Sequence, residues 1–182
     1  MKKSKKYGMI WDKNAGTGGE DDMTARETTC FFTGHRLIGA AERARLPGLL
    51  SQAIDDMVEK GMDTFIAGGA LGFDTLAAEA VIEARGRHPH IQLVLALPCA
   101  DQARLWKPAD VARYERIKSQ ADRVEVLSAR YEDGCMQTRN RYMVGLSSWC
   151  IAYCTRAAGG TASTLRYAFK RGLSIVNLAR RP

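Results

Sequence analysis

Residues 64–84 read Thr64-Phe65-Ile66-Ala67-Gly68-Gly69-Ala70-Leu71-Gly72-Phe73-Asp74-Thr75-Leu76-Ala77-Ala78-Glu79-Ala80-Val81-Ile82-Glu83-Ala84. The first four residues are a short apolar run of strand type, broken at once by Gly68, Gly69 and Gly72. From Phe73 the apolar residues fall at 73, 76, 77, 80, 81 and 84, the spacing of an amphipathic helix, with Gly86 beyond its end. Strand, glycine turn and helix together make one unit of a parallel α/β sheet. The unit repeats in both directions along the chain. Upstream, Thr29-Cys30-Phe31-Phe32-Thr33 is a strand ending at Gly34. Leu46, Leu49, Leu50, Ala53, Ile54, Met57 and Val58 then mark a helix closed by Gly61. Downstream, Ile91 to Leu97 is a continuous apolar run, the mark of a strand buried on both faces. A helix around 111–120 precedes a strand at 124–127, and one around 138–146 precedes a strand at 149–153. A last helix, opened by Gly159-Gly160-Thr161 and running to Arg171, precedes a strand at 174–178. The expected fold is α/β: a Rossmann-like three-layer sandwich with a mostly parallel sheet of about six strands and right-handed crossovers.

The 182 residues, 46% hydrophobic and 26% charged, fit one globular domain. No stretch approaches the roughly 18 unbroken apolar residues of a membrane span, and the basic start lacks the apolar core of a secretory signal. Cys30, Cys99, Cys135, Cys150 and Cys154 are odd in number and irregular in spacing. They predict neither a disulfide framework nor a metal site, and so a reduced, cytoplasmic protein. Cys150 and Cys154 read as buried small hydrophobes on one face of a strand. Residues 1–27 lack apolar periodicity and are expected to be a flexible tail, leaving 28–182 as the domain. The net charge is +7, and the tail's six basic and five acidic residues leave most of it on the domain. That balance suits an anionic partner, a nucleotide or a nucleic acid.

In sheets of this kind, ligands bind beyond the carboxyl ends of the strands. Thr33-Gly34-His35-Arg36 follows the first strand, Gly68 to Asp74 the second, and Ala158-Gly159-Gly160-Thr161 the fifth. Glycines at such turns admit a phosphate to backbone N–H groups, and the helix N-terminus adds partial positive charge. The three turns predict a phosphate-binding rim. The second reads GGALGFD rather than GxGxxG, and GxxxxGK[ST] is missing, which disfavours a dinucleotide fingerprint and a Walker-type NTPase. Asp74 either meets a ligand, as ribose-hydroxyl acceptor or candidate catalytic base, or caps the helix that starts beside it. Gly72 is expected to keep side-chain bulk away from an approaching phosphate. Arg36 and Arg139 are phosphate clamps or surface arginines. His35 is a donor to the ligand or a hydrogen-bonded strand-end residue. Trp106 stacks on a base or covers an apolar flank.

The set TGHR, GGALGFD, Arg139-Asn140-x-x-Met143 and Gly159-Gly160-Thr161 resembles the SLOG superfamily, and within it the YpsA-like proteins. The resemblance runs from Cys30 to Leu178, and Gln102, Trp106 and Tyr114 also look YpsA-like. GGALGFDTLAAEAV is similar to the glycine loop of the DNA-processing protein DprA. Residues 139–143 with the GGT turn resemble the LOG phosphoribohydrolases. The resemblance implies a pocket for a nucleotide or nucleotide-derived small molecule, Asn140 included; no resident cofactor is expected. LOG enzymes carry glutamates after their glycine turn, whereas residues 159–166 here read GGTASTLR without a carboxylate. Arg166 cannot stabilise the cation that develops when an N-glycosidic bond breaks, so such cleavage needs another acid, with Asp74 the candidate. The leading expectation is a ligand-binding sensor or regulatory protein. Its alternatives are an N-glycosidic nucleotide-processing enzyme and a single-stranded DNA binder. The DNA reading ranks lower because the aromatics, 8% of residues, fall mostly in strands and helix cores. The oligomeric state stays open, with homo-oligomers paired through helices one outcome.

Overall fold

The strand bearing Phe31 and Phe32 occupies the middle of the sheet. In the computed structural model, described over residues 25–179, β1 (Thr29–Gly34) pairs in parallel with β2 (Thr64–Ala67) on one side and β5 (Trp149–Tyr153) on the other. With β3 (Gln92–Leu97), β4 (Arg123–Val126) and β6 (Ser174–Asn177) the order is β4-β3-β2-β1-β5-β6, and every pairing is parallel. The chain builds outward from β1 to one edge, then returns beside β1 and builds to the other. Such a reversal opens a crevice at the carboxyl ends of β1 and β5.

Neighbouring residues on a strand point to opposite faces, so β1 feeds two cores. Phe32 joins Phe65 and Phe73 beneath α1 (Ala40–Glu59), α2 (Phe73–Ala84) and α3 (Pro108–Gln120). The Phe32 ring lies 6.0 Å from Phe65 and 6.5 Å from Phe73. Phe31 joins Ile66, Val94 and Cys150 beneath α4 (Cys135–Gly145) and α5 (Gly160–Lys170), against Met143, Val144 and Ala168. The result is the expected three layers.

Two local expectations change. α1 begins at Ala40, well before Leu46, because its first turn is mostly exposed and carries no apolar signal. Cys154 lies just past the end of β5 and is only half-buried, its Sγ 3.2 Å from the Arg156 carbonyl oxygen, so it does not share the strand face of buried Cys150. The expected tail falls outside the described residues as far as residue 24. Residues 25–27 are helical, and the Thr29 hydroxyl donates to the Ala25 carbonyl at 2.6 Å. No helix among the described residues is long and apolar enough to cross a membrane.

Candidate functional site

A cleft of about 300 Å³ opens at the crevice. β1 supplies Thr33 and Gly34, the turn after it His35 and Arg36, the glycine loop Ala70, and α2 Asp74. From the other side come Met136, Arg139, Asn140 and Met143 of α4, with Gly160 and Thr161 of α5. The structure thus gathers Thr33, Gly34, His35, Arg36, Asp74, Arg139, Asn140, Gly160 and Thr161 at one site. Gly68, Gly69, Gly72 and Gly159 lie beside it rather than on its wall. Met136, which stands outside the motifs quoted above, also lines it. The spacing 136, 139, 140, 143 signals it, since those positions share one helix face.

Asp74 and Arg139 are 5% and 6% exposed, with Nη1 3.6 Å from Oδ2. Arg139 Nη1 also donates to the Gly68 carbonyl at 2.5 Å, and Nε donates to Asn140 Oδ1 at 2.8 Å. Asn140 Nδ2 donates to the Thr164 hydroxyl at 2.8 Å, which donates to the Gly160 carbonyl at 3.0 Å. A hydrogen-bonded line therefore runs from the glycine loop, through α4, to the start of α5. Gly68 is glycine for this reason: a Cβ there would stand 1.6 Å from Arg139 Nη1. Burial pushes the Asp74 carboxyl up from its ordinary range, against the pull of Arg139 and the Ala70 amide. Burial likewise lowers Arg139, which Asp74 opposes. Asp74 does not cap α2. Gly72 holds the cap position, and Asp74 accepts the Ala70 N–H at 3.4 Å.

The TGHR turn rests on the GGALGFD turn. The His35 carbonyl accepts the Phe73 N–H at 3.1 Å, and a Cβ on Gly72, whose φ is +82°, would lie 2.2 Å from the Arg36 carbonyl oxygen. Gly72 therefore makes room for protein backbone, not for a phosphate as expected, because the first helix amide of α2 is already bonded to that turn. His35 Nε2 accepts the Thr155 N–H at 3.0 Å, which leaves Nδ1 to carry the proton of the neutral ring. Burial, with Arg156 nearby, holds its pKa below the ordinary imidazole value. Arg36 is exposed, with Nη2 3.7 Å from Met136 Sδ.

α5, like α2, starts after a positive-φ glycine without a side-chain cap, Gly159 at φ +102°, but its first turn has no acidic residue. Its partial positive end opens onto the cleft through Gly160 and Thr161. Trp106 packs edge-on against Tyr114 at 5.4 Å and against the α1–α3 core, so it covers an apolar flank and is not a stacking surface in this cleft. Gln102 Nε2 donates to the Gly69 carbonyl at 3.1 Å, supporting the loop from behind. Among the described residues no three His, Cys, Asp or Glu side chains are grouped to hold a metal ion.

The model of the YspA SLOG family matches residues 41–171. A UPF0398 protein of Halalkalibacterium halodurans is 33% identical over 81% of this chain and 77% of its own length. The SPbeta prophage-derived protein YoqJ of Bacillus subtilis is 31% identical over 69% of this chain and 81% of its own. In three dimensions the chain is similar to DNA processing protein A of Streptococcus pneumoniae, with TM-score 0.60 and 16% identity over 85% of this chain and 50% of that one. It is similar also to DNA processing protein A of Helicobacter pylori, whose single-stranded DNA binding mode is known, with TM-score 0.58 and 19% identity over 90% of this chain and 70% of that one. At those identities the likeness shows a shared fold.

Proposed function

This chain belongs to the YspA SLOG family, and on that premise we propose that its cleft binds a nucleotide or nucleotide-derived small molecule in a sensing or regulatory role. One observation carries the reading. The uncapped N-terminus of α5, exposed Arg36 and the buried carboxylate of Asp74 converge on a single cleft of about 300 Å³. The helix end and Arg36 suit a phosphate, and Asp74 suits the hydroxyls of the attached ribose.

Turnover is disfavoured on chemical grounds. Asp74 is the one carboxylate on the cleft wall among the described residues, and Arg139 beside it opposes the build-up of positive charge that N-glycosidic cleavage requires. A single-stranded DNA role, supported by the Helicobacter pylori likeness and the basic net charge, ranks second. The large exposed rings among the described residues, Tyr131 and Phe169, do not line this cleft, and strand binding without sequence preference relies on stacking.

Thermal unfolding with added ligands tests the proposal. Adenosine monophosphate or ADP-ribose should stabilise the chain by RT ln(1 + [L]/Kd), about 2.7 kcal/mol at a hundredfold excess over Kd, with adenosine far behind. Equal shifts from both would remove the phosphate argument. Release of free base during the incubation, followed by chromatography, would make the protein an enzyme.

A further inference from the structure

A second cleft, of about 320 Å³, adjoins the first, and the two share one wall residue, Arg36. The partition is the contact between the TGHR and GGALGFD turns. Along the loop and α2, Ala70 and Asp74 face the first cleft, while Leu71, Thr75 and Leu76 face the second. The chemistry differs across the partition. The second cleft has apolar walls from Ile38, Leu71 and Leu76, the cations Arg43 and Lys107, and one carboxylate, Asp110. Arg113 also lines it, but its guanidinium is held by Glu79 at 2.5 Å.

Each volume lies at the small end of the range of about 300–1,000 Å³ for small-molecule sites, room for one nucleoside-sized unit but not two. Apolar walls suit the faces of a base, and Asp110 suits the hydroxyls or exocyclic amine of a nucleoside. Arg36, shared and exposed, stands where a link between two such units would cross. We infer that the two clefts take the two halves of one dinucleotide-type ligand, two nucleoside units joined by a diphosphate that crosses the partition at Arg36. The inference rests on the nucleotide reading of the first cleft.

Calorimetric titration of the full chain with NAD and with its half, adenosine monophosphate, provides the test. A linked second half binds intramolecularly, so NAD should bind at least about tenfold tighter than the monophosphate. Lys107→Glu should erase that advantage and leave monophosphate affinity within about twofold. The variant should fold, because Lys107 is exposed, makes no cap bond, and an acidic residue suits the start of α3. Arg43→Ala, at a second exposed position, should act in the same direction. NAD binding no tighter than the monophosphate, or equal losses for both in Lys107→Glu, overturns the inference and leaves the first cleft's reading standing. If neither compound binds, that reading falls and the inference with it. If oligothymidylate alone binds, and Lys107→Glu weakens it, the groove tracks a polymer and the inference is wrong.

Discussion

At the scale of single residues, two glycines with positive φ give expectations of different size. A Cβ on Gly72 would meet a backbone carbonyl at 2.2 Å, whereas around Gly159 the space is open. Gly72→Ala should cost about 3 kcal/mol or more, strain and overpacking together, and Gly159→Ala only the strain of about 1–2 kcal/mol. Denaturant unfolding measures both, and equal costs would mean the two turns are not in contact. His35 gives a pH dependence. Its folded pKa lies below the ordinary value of about 6.5, so the unfolded chain takes up its proton first as pH falls. Its contribution to stability is therefore complete above about pH 6.5 and lost as pH drops through the folded value. The Tm gap between wild type and His35→Gln should shrink on acidification, as a pH series of melting curves will read. A gap that widens would place a protonated imidazole in the native state.

At the scale of elements, the Asp74–Arg139 pair fastens α2 to α4, and Asn140 with Thr164 carries the tie to α5. Asp74→Asn leaves a buried guanidinium without its counter-charge and should destabilise the fold by about 3 kcal/mol. Adding Arg139→Met should cost less than the sum of the single changes, a coupling that a double-mutant cycle in urea would read. Additive losses would show that the two side chains do not interact. The elements themselves were legible in the sequence wherever one face is buried: the 73–84 periodicity and the apolar 91–97 run lie within a residue of α2 and β3. The start of α1 was not, because exposed residues leave no pattern. Most of the cleft's wall was also legible from the residues at the strand ends. What the sequence could not convey is where the amides of the second glycine loop go. A loop pressed against another loop and a loop pressed against a phosphate both demand small residues, so Gly72 reads the same in either case. Only the bond from the Phe73 N–H to the His35 carbonyl separates them.

At the scale of the whole molecule, the +7 charge should draw an anionic ligand in from a distance. Stopped-flow association of a nucleoside phosphate should slow as salt rises from about 0.01 to 0.15 M, where the screening length shrinks from roughly 30 to 8 Å. Association of an uncharged nucleoside should not slow, and equal slowing would assign the effect to something other than charge. The placement of β1 between β2 and β5 has a further consequence, during synthesis. Cys30 pairs with Trp149, so the partner strand emerges from the ribosome long after β1, on the order of ten seconds at roughly 5–20 residues per second. Through that interval β1 keeps one unsatisfied apolar edge, the strand TCFFTG, open to other chains even once β2, β3 and β4 have joined its other side. A nascent chain halted before Trp149 should be captured by a strand-binding chaperone, and one halted after β5 has cleared the exit tunnel should escape it.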